Sequence, residues 1–158
     1  MTISGEQLRD SVGSFPSGVT VVTTRVAGQD LGLTVSSFAS LSLDPALVMV
    51  CIDNRSQSIP HLRPGRPVGV SVLARDQLQI AVQFARHGVD RFADVAVRRG
   101  MFNLAFIDAA AAWFAGIVYA VHGGGDHRII TIAVEDCGRD LGKQPLLYHR
   151  GRLNELYR

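Results

Sequence analysis

Lysine is almost missing from this 158-residue sequence: Lys143 stands alone, and every other member of its Lys and Arg set is arginine. The net charge is only +2, without the basic stripe that a nucleic-acid partner requires. Arginine suits instead the phosphates of a small ligand, which its planar fork can grip. Cysteine is scarce too. Cys51 and Cys137 form no C-x-x-C pair, and two such thiols point to a reducing compartment. The opening Met1 to Asp10 lacks the apolar core of a signal peptide. The longest apolar run, Ala109 to Val121, is shorter than a membrane span and contains Gly116. The expectation is a cytoplasmic protein with no membrane and no nucleic-acid partner. There is no G-x-G-x-x-G, no G-x-x-x-x-G-K-[ST] and no G-x-S-x-G, so neither a classical nucleotide loop nor a serine hydrolase elbow is present. His122, Asp126 and His127 lie close in sequence, but no third and fourth ligand follow at metal-site spacing, so no metal is expected.

What is present is a chain with 47% hydrophobic and 19% charged residues, the composition of a folded domain. Its length fits one domain over 1–158, with a core large enough to do without staples. Glu6 to Ser14 reads as a short amphipathic helix that ends at Phe15-Pro16. Val19 to Val26 and Leu31 to Phe38 read as a β-hairpin, and Leu47 to Ile52 as a buried strand. A helical turn follows from Ser56 to Leu62, capped by Ser56, and then a strand from Pro67 to Leu73. Asp76 is expected to cap a helix to about Arg86, with Leu78, Ala81, Val82 and Ala85 on one face. Strands are expected over Ala110 to His122, Ile129 to Val134 and Leu146 to His149, with a turn at Gly123 to Gly125. Residues 87–108 show no clear pattern. Hairpins in place of helical crossovers predict a mainly β fold, an antiparallel barrel with a few peripheral helices.

Four groups stand out chemically. Thr34, Ser36 and Ser37, around Val35, put hydroxyls on both faces of a strand, which suits a wall that bonds the edge of a flat ring. Asp53, Asn54, Arg55, Ser56 and Ser58 follow a buried strand and open a helical turn, a place for an anion. Phe84 to Gly88 and Asp90-Arg91-Phe92 read as a ligand-facing loop with Arg91 as an anion contact. His127, after three glycines, is a candidate substrate contact or proton donor. Cys51 reads as a packed thiol, and Trp113 as core or interface.

Ordered segments carry a resemblance. They are Phe15 to Thr24, Gly32 to Phe38, Ser40 to Pro45, Asn54-Arg55-Ser56, Phe84-Ala85 with Asp90-Arg91-Phe92, Gly125-Asp126-His127 and Pro145 to Gly151. Together they resemble the flavin reductase domains of the FMN-binding split-barrel class, above all the small reductase components of two-component flavin-dependent monooxygenases. The resemblance implies an antiparallel split β-barrel, a homodimer, and FMN or FAD near the subunit interface. It implies cofactor contacts from Ser17, Thr34, Val35, Ser36 and Ser37, from Asp53, Asn54, Arg55, Ser56 and Ser58, and from Phe84, Arg91, Phe92 and Tyr148. It places His127 on the nicotinamide side, as the one catalytic candidate. The implied activity is reduction of flavin by NADH or NADPH and delivery of reduced flavin to a separate oxygenase. The alternatives are a flavin carrier or sensor without turnover, and a split-barrel oxidase of another substrate class. The Phe114 to Ile117 stretch departs from the family's more polar strand, and 95–107 lacks its usual Trp and Pro signals.

Overall fold

A computed structural model describes residues 2–154. Its centre is a seven-stranded antiparallel sheet. The strands are β2 (Thr20–Val26), β3 (Gln29–Val35), β4 (Ala39–Leu43), β5 (Ala46–Asp53), β6 (Pro67–Val72), β9 (Ala112–Gly124) and β10 (His127–Arg139), in the order β3-β2-β6-β9-β10-β5-β4. A small sheet joins β1 (Ser17–Gly18), β11 (Leu147–His149) and β12 (Arg152–Leu153), and a ribbon pairs β7 (Val97–Arg99) with β8 (Ala105–Ile107). The helices are α1 (Gly5–Val12) and α2 (Leu78–Ala85), with a 3₁₀ turn at Ile59–His61.

The sheet curls because alternate residues on its strands are apolar and must be covered. Val48, Val50 and Ile52 of β5 face inward with Val22, Val68, Val70, Val118, Ile130 and Ile132. This brings the far edge of β3 towards β5 without forming a ladder between them. The chain crosses the gap at Ser37, whose hydroxyl donates to the Cys51 carbonyl (2.8 Å) and accepts from the Cys51 N–H (2.9 Å). The barrel is therefore split along one seam, as expected.

At Gly116 two backbones approach too closely for any side chain. A Cβ at Gly116 would stand 2.1 Å from the Ala133 carbonyl oxygen, beside the bulge between Val134 and Asp136. The altered stretch from Phe114 to Ile117 thus serves close strand packing. Trp113 packs edge-on to Phe106 (5.4 Å between ring centres), and Arg98 lies 4.4 Å over the Trp113 ring, which makes this region core.

Some elements differ from expectation. Helix α2 starts after Gln77, and Asp76 does not cap it; Asp76 pairs with Lys143 instead (3.1 Å). Gln77 uses its side chain across the fold, accepting from Ala74 N–H and donating to the Asp108 carbonyl. The inward face of α2 holds Ala81 and Phe84, while Ala85 is exposed. Strand β9 runs on through Gly123 and Gly124, so the turn is Gly125–Asp126, with Gly125 at φ +73°. Residues 87–108, which show no clear sequence pattern, contain β7 and β8, and β4 is a strand beyond those expected. Strand β7 is hard to read because Arg98 and Arg99 break its apolar pattern. Both have partners only the fold supplies: Arg98 stacks on Trp113, and Arg99 meets Asp30 at 2.5 Å.

Candidate functional site

Beside the seam lies a cavity of about 840 Å³, within the range that holds organic ligands. One wall is β3 from Asp30 onward, with Ser36 and Ser37; the facing wall is the end of β5 and the loop to Ser58. The loop after α2, from Ala85 to Phe92, closes one side, and His127 the rim.

Strand β3 ends its sheet, so its outer edge has no neighbouring strand among the described residues. Its Gly32 carbonyl points to that edge, where it accepts from Arg91 Nη1 (2.7 Å). Strand alternation puts the N–H and C=O of Thr34 on the same edge. The wall thus offers a donor and an acceptor to a flat ring. The Thr34 hydroxyl is not part of that offer: it donates to the Ala81 carbonyl (2.7 Å) and ties β3 to α2. Nor is the Ser37 hydroxyl, whose bonds to Cys51 are the seam itself. Cys51 lines the cavity, half-buried, instead of being packed away in the core.

The Gly32 position is shaped for the loop. A Cβ there would stand 2.6 Å from Phe84 Cε1 and 3.1 Å from Phe92 Cζ. Phe84 and Phe92 meet edge-to-face at 4.9 Å between ring centres. Arg91 also donates from Nε to the Arg86 carbonyl (2.8 Å), and Gln83 Nε2 holds the carbonyls of Arg91 and Ala93. Among the described residues Arg91 pairs with carbonyls and with no carboxylate. Burial pushes its pKa down from the ordinary arginine value. A half-buried cation without a counter-charge at a cavity wall attracts an anion.

The opposite end holds fewer free donors than its sequence suggested. The Asp53 carboxylate accepts Arg55 N–H (2.8 Å) and pairs with Arg55 Nη2 (2.7 Å). These bonds from Arg55 hold the Asp53 carboxyl well below the usual carboxylate range. Ser56 N–H goes to the Asp53 carbonyl, and Ser58 N–H to Ser56 Oγ. Ser56 does not cap the 3₁₀ turn; the cap position belongs to Ser58, which is buried. A ligand anion here competes with the protein's own Asp53.

Asn54 turns away from the cavity. Its N–H donates to the Asp126 carbonyl (3.0 Å) and its Nδ2 to the Gly125 carbonyl (3.1 Å), which pins the β9–β10 turn. Ser17 and Tyr148 face each other across the β1–β11 pair, also outside the cavity wall. The fold gathers Thr34, Val35, Ser36, Ser37, Asp53, Arg55, Ser56, Ser58, Phe84, Arg91, Phe92 and His127 around one space. His87, from the loop expected to face a ligand, lines it too, and the fold adds Val89 and Cys51, which no motif marked. His127 Nδ1 lies 2.7 Å from Asp126 Oδ1, and this contact lowers the Asp126 pKa from its ordinary value. Among the described residues no cluster of three or more His, Cys, Asp or Glu could hold a metal ion. No helix among them is long and apolar enough to cross a membrane.

Comparisons with known proteins agree with this architecture. The flavin reductase like domain family matches residues 12–157. The reductase component of a flavin-dependent trigonelline monooxygenase from Acinetobacter baylyi is 40% identical over 146 residues, 92% of this chain. This chain spans about half of that relative, 47% of its length. An NADH-dependent flavin reductase from a Rhodococcus species is 36% identical over 154 residues, covering 94% of this chain and 85% of the relative. Among solved structures, an NADH:FAD oxidoreductase from Streptomyces globisporus, in complex with NAD and FAD fragments, superposes with a TM-score of 0.90. It is 32% identical, over 98% of this chain and 96% of that one. By its sequence, its split barrel and the cavity beside the seam, the chain belongs to the flavin reductase like domain family.

Proposed function

We propose that this protein is an NAD(P)H:flavin oxidoreductase that supplies reduced flavin to a separate monooxygenase. The observation that carries this reading is the cavity, which joins a free strand edge, His127 and an Arg91 that has no counter-charge among the described residues, in a chain of this family. The residues fit a flavin. The volume suits it, the Thr34 edge can bond ring heteroatoms, and Arg91 meets negative charge. Bound there, FMN or FAD supplies the ring that accepts hydride from NADH or NADPH. The chain contributes proximity and orientation, with no protein nucleophile. Thr34 N–H and C=O would hold the ring edge, with Val35 and Ser36 lining the same wall. Phe84, Phe92 and Arg91 hold the loop that excludes water. Arg55, Ser56 and Ser58, beside Asp53, border the polar end, and His127 at the rim contacts the nicotinamide. Ser17, Asn54 and Tyr148 act on the cofactor only indirectly or through a second subunit.

We assign 1–158 to one domain that works as a homodimer in the cytoplasm. Helix α1 supports the dimer: none of its residues is buried, although it carries Leu8 and Val12, and Leu43 on edge strand β4 is 92% exposed. The test is a steady-state assay with both nicotinamides and both flavins. A fall in nicotinamide absorbance that depends on added flavin is expected. No turnover in any of the four pairings would leave a carrier or sensor instead.

A further inference from the structure

Gly125–Asp126 is a two-residue turn, and both of its carbonyls are held by Asn54, one through the backbone and one through the side chain. The turn therefore cannot swing independently of the loop after β5. Asp126 in this fixed turn reaches the next residue's ring: its Oδ1 lies 2.7 Å from His127 Nδ1. A carboxylate with a lowered pKa can only accept, so Nδ1 must carry the proton. A neutral imidazole with hydrogen on Nδ1 has a lone pair on Nε2. His127 lines the cavity, and Nε2 is the ring nitrogen left without a protein partner among the described residues. Asp53, across the β5–β10 pair, also faces this histidine, but its carboxylate is taken by Arg55.

We infer that Asp126, held by Asn54, is a positioning residue that sets the His127 tautomer, so that Nε2 accepts a hydrogen bond from the primary carboxamide of a nicotinamide. The inference rests on the proposed flavin reductase activity for its ligand and on the structure alone for its tautomer. It also gives Asn54 a role: it holds the turn that aims the ring. A ligand whose ring substituent has no N–H fits this site less well, because it offers nothing to the Nε2 lone pair.

Two measurements test it. Long-range nitrogen-15 spectra of histidine-labelled protein read the tautomer directly on the alkaline plateau. The expected result is Nδ1 protonated and Nε2 bare, with Asp126→Ala shifting His127 towards the Nε2–H form and Asn54→Ala doing so in part. A His127 already in the Nε2–H form, or one indifferent to Asp126→Ala, overturns the positioning role. The second measurement compares NADH with its reduced 3-acetylpyridine analogue, which lacks the amide N–H. Loss of one hydrogen bond should raise the analogue's KM by roughly tenfold over NADH in the unaltered protein. Asp126→Ala should shrink that ratio while leaving the flavin KM in place; the redox difference between the two donors cancels between variants. His127→Gln in the Asp126→Ala background should restore the ratio, because an amide oxygen accepts without a tautomer. An unchanged ratio in Asp126→Ala overturns the carboxamide contact. If NADH is not oxidised with any flavin, the activity and the carboxamide contact fall together, and the spectra still decide the tautomer.

Discussion

Replacing Ser37 with alanine separates two roles that a sequence cannot tell apart. Three neighbouring hydroxyls suggest a ligand wall, yet Ser37 Oγ already donates to and accepts from Cys51, at 2.8 and 2.9 Å. Each such bond contributes about 1 kcal/mol net, and the exposed position lets water partly replace it, so the loss is roughly 1–2 kcal/mol of stability. In a domain of this size about 1 kcal/mol moves Tm by roughly 2–4 °C, so a drop of roughly 2–8 °C is expected. Flavin affinity should fall only as the seam loosens, by less than about threefold, far below the tenfold cost of about 1.4 kcal/mol of direct contact. Thermal unfolding of the ligand-free protein and quenching of flavin fluorescence read the two quantities separately. An unchanged Tm with a tenfold loss of flavin affinity would refute the reasoning, because the hydroxyl would then face the ligand and not the strand.

Asp30, with a mostly buried side chain, joins Arg99 of β7 and Arg25 of β2, and the Arg99 hydrogen bond chiefly lowers its pKa. A depressed carboxylate stabilises the fold above its unfolded value, about 3.9, and that share is lost as pH falls through the lower folded value. Asp30→Asn should therefore cost roughly 2–3 kcal/mol at pH 7 and less near pH 3. Urea unfolding at both pH values checks this, and an equal cost at both contradicts it. Gly116→Ala should be worse than Gly32→Ala. The first sets a Cβ 2.1 Å from a backbone oxygen, the second 2.6 Å from the Phe84 ring, which can tilt. Expression and Tm of the two variants rank them, and a milder Gly116→Ala would remove the close-packing account. Arg91→Gln should weaken FMN binding by about tenfold or more, with less dependence on salt, since a charged hydrogen bond contributes roughly 1.5–3 kcal/mol. Titration at low and high salt tests this; full affinity in the variant removes Arg91 from the site.

The legible features were those set by local pattern. Val and Thr between Thr20 and Val26, followed by Gln29 to Val35, can only be a hairpin in a chain without crossovers. The apolar run of β5 marked a strand with a buried face at Val48, Val50 and Ile52, but not that its other face, with Cys51, borders the cavity. Small hydroxyls at the end of β3 and just beyond it marked a ligand wall, though not which way each one points. A hydroxyl's partner is set by which strand edge comes near, and that depends on how far the sheet curls. Hence Thr34 turned to Ala81, Ser37 to Cys51, and Asn54 to the Gly125–Asp126 turn. Asp76 looked like a cap, but Lys143, far along the chain, claimed it.

By itself, then, the sequence determined a mainly β domain of this family and the segments that would surround a ligand, because period, turn chemistry and motif order are local. The tertiary structure alone decided which of those side chains are spent on the fold and which stay free for a ligand. Gly32 admits the Phe84–Phe92 pair, Arg91 has no counter-charge among the described residues, and Asp53 fills the turn where an outside anion was expected. Such allocation depends on groups far apart in sequence competing for the same donors, and only the closed sheet brings them within reach.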